Sequence, residues 1–226
     1  MTIVSKVLAT LVAGSSLVAL SLRADPVTVQ EVGVGANETV YINSTGPNGL
    51  GTNLHVYAGV LDLKVDGVAT AGFCIDPWHW SGSGPMAYQT EDLSLAPKAA
   101  LSGMGTTAAT QIEQLWAAYY TPSISNVNAA ALQIEIWTIV DNAIYGGTNF
   151  KLDLVDNSAT DVTNAINSMA NFLTTNQGAA TADLIAVTGP GQDYVIARVP
   201  DGGVTLSMLG LGLVGLLAFR RKVCRS

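Results

Sequence analysis

The C-terminal segment is the feature that most constrains the fold, because it separates a membrane-length apolar run from the rest of the chain. An apolar run at residues 204–219 is followed at once by three basic residues, Arg220, Arg221 and Lys222. As a helix this run would measure roughly 24 Å, and flanking basic side chains can extend its reach across a bilayer. The sequence therefore predicts a C-terminal transmembrane helix at 204–219 whose basic tail lies in the cytoplasm.

The N-terminus indicates export. Residues 1–24 combine an early lysine, an apolar stretch and small residues near Ala24, which is the pattern of a secretory signal peptide. We expect cleavage after Ala24, with retention of the segment as the alternative because Leu22 suits a signal peptidase poorly. The predicted organisation is a signal peptide, a domain at 25–199 exported through the inner membrane, and a tail at 200–226.

A short polar motif separates the exported domain from the apolar run. It consists of Val199, Pro200, Asp201, Gly202 and Gly203. This motif, the apolar run and the basic cluster, in that order, resemble the PEP-CTERM sorting signals in their Val-Pro-Asp variant. The resemblance implies recognition by an exosortase, a membrane-embedded sorting peptidase. It also implies an anchor that is at least transient, before the protein reaches the cell surface or the extracellular space. The alternative is a plain single-span anchor.

Charge and composition exclude some partners of the exported domain. Residues 25–199 hold 16 of the 17 acidic residues and four of the ten basic residues, a net charge of −12. Such a surface repels phosphate backbones, so nucleic acid is not an expected partner. Two histidines and one cysteine make a thin set of metal ligands, so we expect neither a metal site nor a cofactor.

The hydrophobic pattern changes along the chain from strand-like to helix-like. Alternation in the first half, with Asp66-Gly67 as a hairpin turn, predicts strands, and the spacing in the middle predicts helices. The strands are expected at 27–32, 38–42, 55–65, 68–75 and 193–199, and the helices at 107–120, 126–144 and from 158 onward. This order predicts an α+β fold: an N-terminal antiparallel sheet or sandwich, about three helices and a last strand.

The exported domain contains a single cysteine, Cys74, because Cys224 lies in the tail. An unpaired cysteine in an oxidising compartment has four explanations: a buried inert thiol, an intermolecular disulfide, a catalytic nucleophile or a covalent internal bond. Gln133 lies on the apolar stripe of the second predicted helix, where an unpaired amide would cost roughly 1–3 kcal/mol. Attack by the Cys74 thiol on this amide would release ammonia and leave a thioester.

Two segments resemble the bacterial thioester domains. Residues 73–76 have the form aromatic-Cys-x-acidic, and residues 130–137 have the form of an apolar-Gln-x-x-apolar-Trp helix. The resemblance implies that Cys74 supplies the thioester sulfur and Gln133 the acyl group. It further implies covalent adhesion, in which an amine or another nucleophile on a target surface attacks the acyl group once. Because this is a stoichiometric event without turnover, we do not expect an enzyme.

An aromatic cluster opens the loop after Cys74. Trp78, His79 and Trp80 are a possible docking surface beside the thioester or a sugar-stacking platform, and the alternative is the edge of the core. A Cys-His hydrolase is the enzymatic alternative, but no orienting partner for a histidine is evident. The main alternative function is a non-catalytic envelope or exopolysaccharide-matrix protein whose Cys74 is a free buried thiol.

Overall fold

The computed structural model describes residues 25–45, 49–98, 102–153 and 160–198. The predicted signal peptide, the sorting motif and the transmembrane helix at 204–219 lie outside these residues. Within the described ranges, no helix has both the length and the apolar character needed to cross a membrane.

Seven strands and three helices make up the described chain, as expected for an α+β fold. The strands are β1 (Pro26–Ser44), β2 (Gly51–Val65), β3 (Val68–Cys74), β4 (Met86–Glu91), β5 (Phe150–Leu152), β6 (Leu184–Thr188) and β7 (Tyr194–Ala197). The helices are α1 (Gly105–Tyr119), α2 (Asn126–Tyr145) and α3 (Thr160–Thr175), with a short 3-10 helix at Leu93–Leu95. The two strands predicted at 27–32 and 38–42 form one long strand, β1, whose pairing with β2 is interrupted by irregularities.

All strand pairs are antiparallel, and the sheet closes on itself. Its order is β2-β3-β7-β6-β4-β1-β5, and β1 pairs with β2 as well as with β4. The β2–β3 hairpin has the predicted turn, because Asp66 (φ 50°) and Gly67 (φ 81°) both take positive φ between the paired residues Val65 and Val68.

Helix α2 is the central element of the core. It packs against α1, α3 and the β1 and β2 strands. Ser125 accepts a hydrogen bond from the Asn128 backbone at its start, and Gly146 ends it in the left-handed conformation (φ 66°). Apart from Thr138, every residue from 129 to 141 is buried. A helix that is buried on all sides must place its few polar side chains against specific partners.

Strand β3 separates two parts of the core. Phe73 packs edge-on against Trp116 of α1, with ring centroids 5.2 Å apart. Its neighbour Cys74 points the other way, into a cluster that includes Leu61, Ile134 and Trp137. The alternation of a strand therefore directs the cysteine toward α2 and away from α1.

Candidate functional site

Cys74 lies where β3 loses one of its two neighbouring strands. The pairing of β3 with β7 continues to Cys74, opposite Tyr194. The pairing with β2 ends two residues earlier, at Gly72 opposite Leu61. The sheet therefore opens beside Cys74, on the side from which β2 has departed.

The side chain of Gln133 takes the place of the missing strand. The Cys74 N–H donates to Gln133 Oε1 at 2.9 Å, and Gln133 Nε2 donates to the Cys74 carbonyl oxygen at 2.7 Å. Because one partner is a donor and the other an acceptor, these two bonds fix which amide atom is oxygen and which is nitrogen. Both residues are buried, with exposed fractions of 2% and 1%. The structure thus brings together the two residues that the sequence predicted as a pair.

The thiol of Cys74 is protonated at neutral pH. Burial raises the pKa of Cys74 well above its usual range, and the indole of Trp137 opposes this shift. Trp137 Nε1 has no hydrogen-bond partner of ordinary geometry within the described chain. The Asp76 N–H donates to Cys74 Sγ at 3.3 Å.

A buried carboxylate orients a histidine just beyond Cys74. Asp76 Oδ2 lies 2.7 Å from His79 Nδ1, and Asp76 Oδ1 accepts a hydrogen bond from the Trp78 N–H at 3.2 Å. The Asp76 side chain is only 2% exposed, whereas that of His79 is 40% exposed. Burial raises the pKa of Asp76, and the adjacent His79 lowers it. The sequence reasoning missed this pair, for which the signal was an acidic residue and a histidine three positions apart after the cysteine.

A cavity of about 280 Å³ lies beside the Cys74–Gln133 pair. Its lining includes Glu31, His55, Tyr57, Cys74, His79, Trp80, Gln133 and Trp137. Two of its aromatic residues are largely exposed, Tyr57 at 62% and Trp80 at 59%. An entering molecule would therefore meet aromatic surface first and the cysteine and glutamine deeper inside.

Of the predicted docking residues, His79 and Trp80 line this cavity but Trp78 does not. Trp78 is 2% exposed and packs edge-on against Tyr145, with ring centroids 4.9 Å apart. Trp78 thus lies in the core, which was the alternative for this cluster, because the chain after Asp76 turns its ring inward. Among the described residues, no three His, Cys, Asp or Glu side chains are grouped as they would be to hold a metal ion.

One family matches part of the chain. The VPDSG-CTERM motif matches residues 198–223. This match supports a sorting protein of the PEP-CTERM type that is exported, processed by an exosortase and placed at the cell surface, as the tail predicted. No curated protein and no solved structure is detectably similar to the chain. The function of the domain must therefore be argued from its own residues.

Proposed function

We propose that the exported domain is a covalent surface adhesin that uses an internal Cys74–Gln133 thioester. The observation that carries this proposal is the pair of hydrogen bonds between the Gln133 amide and the Cys74 backbone. These bonds hold the Gln133 carboxamide against the backbone of Cys74 in a buried site, and so supply the proximity that acyl transfer to the thiol of the same residue needs.

The same hydrogen bonds favour formation of the thioester. The Cys74 sulfur attacks the Gln133 side-chain carbonyl carbon, and negative charge develops on Oε1. The Cys74 N–H already donates to this oxygen at 2.9 Å and so stabilises the developing charge. The C–N bond to Nε2 then breaks, and ammonia leaves with the thiol proton. One thiol and one carboxamide thus give one thioester and one ammonia.

Adhesion reverses the role of the sulfur. A nucleophile on the target attacks the Gln133 acyl carbon, and the Cys74 sulfur leaves as a thiolate. The Asp76 N–H, which lies 3.3 Å from this sulfur, supports the leaving group. Burial of both residues restricts access of water to the acyl group until a target docks. The event is stoichiometric, so the domain acts without turnover and without a cofactor.

The rim of the cavity is the docking surface in this proposal. The exposed rings of Tyr57 and Trp80 offer flat apolar faces to a ligand, and His79 lines the same cavity. The target carries an amine or another nucleophile, and exopolysaccharide is a candidate. The acidic surface of the domain disfavours nucleic acid.

A second function is consistent with one specific observation. Gln133 satisfies the Cys74 N–H and carbonyl groups that β2 leaves unpaired, so its burial is explained even without a covalent bond. In that case the protein is a sorted envelope or exopolysaccharide-matrix protein with an inert, buried thiol at Cys74.

Labelling with an amine distinguishes these two functions. The native chain is incubated with methylamine and digested, and the peptides that contain Gln133 and Cys74 are examined by mass spectrometry. The adhesin proposal expects N-methylamide at Gln133, with the Cys74→Ala variant as an unlabelled control. If Gln133 is unmodified in the native protein, as in the control, the adhesin proposal is wrong and the envelope-protein function is supported.

A further inference from the structure

We propose that His79 is the base that accepts the proton of the attacking nucleophile, with Asp76 as its positioning residue. This inference rests on the proposed thioester and assigns the residue that makes the acyl transfer fast. His79, which Asp76 holds at 2.7 Å, lines the same cavity as Cys74 and Gln133.

The hydrogen bonds of Asp76 determine which nitrogen of His79 is available. Asp76 is fixed at one oxygen by the Trp78 N–H and holds His79 Nδ1 with the other at 2.7 Å. An ionised carboxylate can only accept, so this contact assigns the proton to Nδ1 and leaves Nε2 as the acceptor. A buried carboxylate that fixes the tautomer of a histidine is the orienting part of a catalytic triad.

The proton transfers balance with His79 in this role. As the nucleophile attacks the Gln133 acyl carbon, its proton passes to Nε2 of His79. The C–S bond then breaks, and the imidazolium returns the proton to the Cys74 thiolate. The products are an acylated target and a free thiol, and His79 ends in its starting state. No oxidant, metal or further reactant enters this step.

Other ionisable groups around the cavity have different partners. Glu31 of β1 accepts a hydrogen bond from the Tyr194 hydroxyl at 3.3 Å. His55 of β2 stacks on Tyr41, with ring centroids 4.7 Å apart. Asp193, before β7, accepts hydrogen bonds from the backbone N–H groups of Lys98 and Gly189. His55 is therefore a suitable control, because it lines the same cavity without the Asp76 contact that orients His79.

The test compares the full-length chain with His79→Asn and His55→Asn. Asparagine retains a side-chain N–H near the position of Nδ1 but has no base at Nε2. Each protein is first weighed intact, and then incubated with glycerol, a hydroxyl nucleophile whose own charge does not change with pH. Acid-quenched samples are weighed over time across about pH 5 to 8, the range in which histidine commonly titrates.

We expect all three proteins to have the mass of the thioester before glycerol is added. We expect the rate of glycerol capture to fall about 100-fold in His79→Asn and to lose its decline at acid pH, while His55→Asn resembles the native protein. Equal rates and equal pH profiles in the native protein and His79→Asn would overturn the inference, as would a thioester missing from His79→Asn alone. Absence of the thioester from the native protein would instead overturn the proposed function.

Discussion

At the scale of single residues, Gln133 completes the hydrogen bonding of β3 at Cys74. In the proposed thioester the Nε2 donor leaves as ammonia, so only the bond from the Cys74 N–H to Oε1 is kept. The sequence predicted the pairing of Cys74 with Gln133, because an amide on an apolar helix face needs a partner. It did not predict that the Cys74 backbone is this partner, because that depends on where β2 leaves the sheet.

Two alanine variants separate the structural role from the chemical one. Neither Cys74→Ala nor Gln133→Ala can form the thioester, so the difference in their stability does not depend on that bond. Gln133→Ala leaves two buried backbone groups without partners, each worth about 1–3 kcal/mol. We expect it to have a lower free energy of unfolding than Cys74→Ala in urea titrations. Equal values would show that the Gln133 amide does not stabilise the end of β3.

At the scale of elements, the surroundings of α2 explain why its sequence pattern does not show which of its residues are buried. Glu135 is a charged residue in this helix, yet it is only 6% exposed. Helical spacing indicates a polar face only when one side of the helix meets water, and α2 is surrounded by packed elements. Similarly, the closed sheet depends on pairings between distant strands, such as β1 with β4, which local alternation does not encode.

The buried carboxyl of Glu135 predicts a dependence of stability on pH. Burial raises the pKa of Glu135 from its ordinary 4.5 to about 7. Between these values the folded chain retains a proton that the unfolded chain has lost, so the free energy of unfolding falls as pH rises from about 4.5 to 7. Asp193, whose pKa burial raises to about 6, contributes in the same direction.

Glu135→Gln removes the larger of these two contributions. We expect the variant to be more stable than the native protein at pH 8, by on the order of 1–3 kcal/mol, and similar to it near pH 4. Thermal unfolding of both proteins across this range measures the difference. If the stability of the two proteins changes with pH in parallel, the Glu135 carboxylate is well solvated in the folded protein.

A glycine holds β1 and β2 close together near the opening of the sheet. Gly59 has a φ of 151°, and a Cβ there would overlap the carbonyl oxygen of Ala36. Gly67 has a φ of 81°, but a Cβ there would meet nothing within 4 Å. We expect Gly67→Ala to cost about 1 kcal/mol through its backbone alone and Gly59→Ala to cost clearly more. Urea titrations that give equal costs would show that the chain relaxes around residue 59.

At the scale of the whole molecule, the sorting signal and the proposed active pair lie in separate parts of the chain. The tail at 198–223 matches a sorting motif and supports export and surface placement. The proposed chemistry lies more than 60 residues earlier, in a pair that only folding brings together. A linear motif can be recognised from the sequence alone. The contact between His79 and Asp76 could not be, because it forms only when the chain turns after β3.

The sorting motif predicts processing of the tail. Replacing Asp201 with alanine is expected to block removal of the tail in a host with the matching exosortase, because the motif is then incomplete. The Asp201→Ala protein should keep its full-length mass and stay in the membrane fraction. The native chain in a host without exosortase should behave in the same way. Normal processing of Asp201→Ala would show that this residue is dispensable for recognition.

Intact mass shows whether Cys74 and Gln133 are joined by a bond. The full-length chain is denatured with iodoacetamide present, and Cys224 in the tail serves as the internal standard for alkylation. The thioester predicts a mass lower by one ammonia, with Cys224 alkylated and Cys74 not, until methylamine releases its thiol. The full expected mass with both cysteines alkylated would show that the thioester does not form, and the exported domain would then be an envelope protein with an inert thiol.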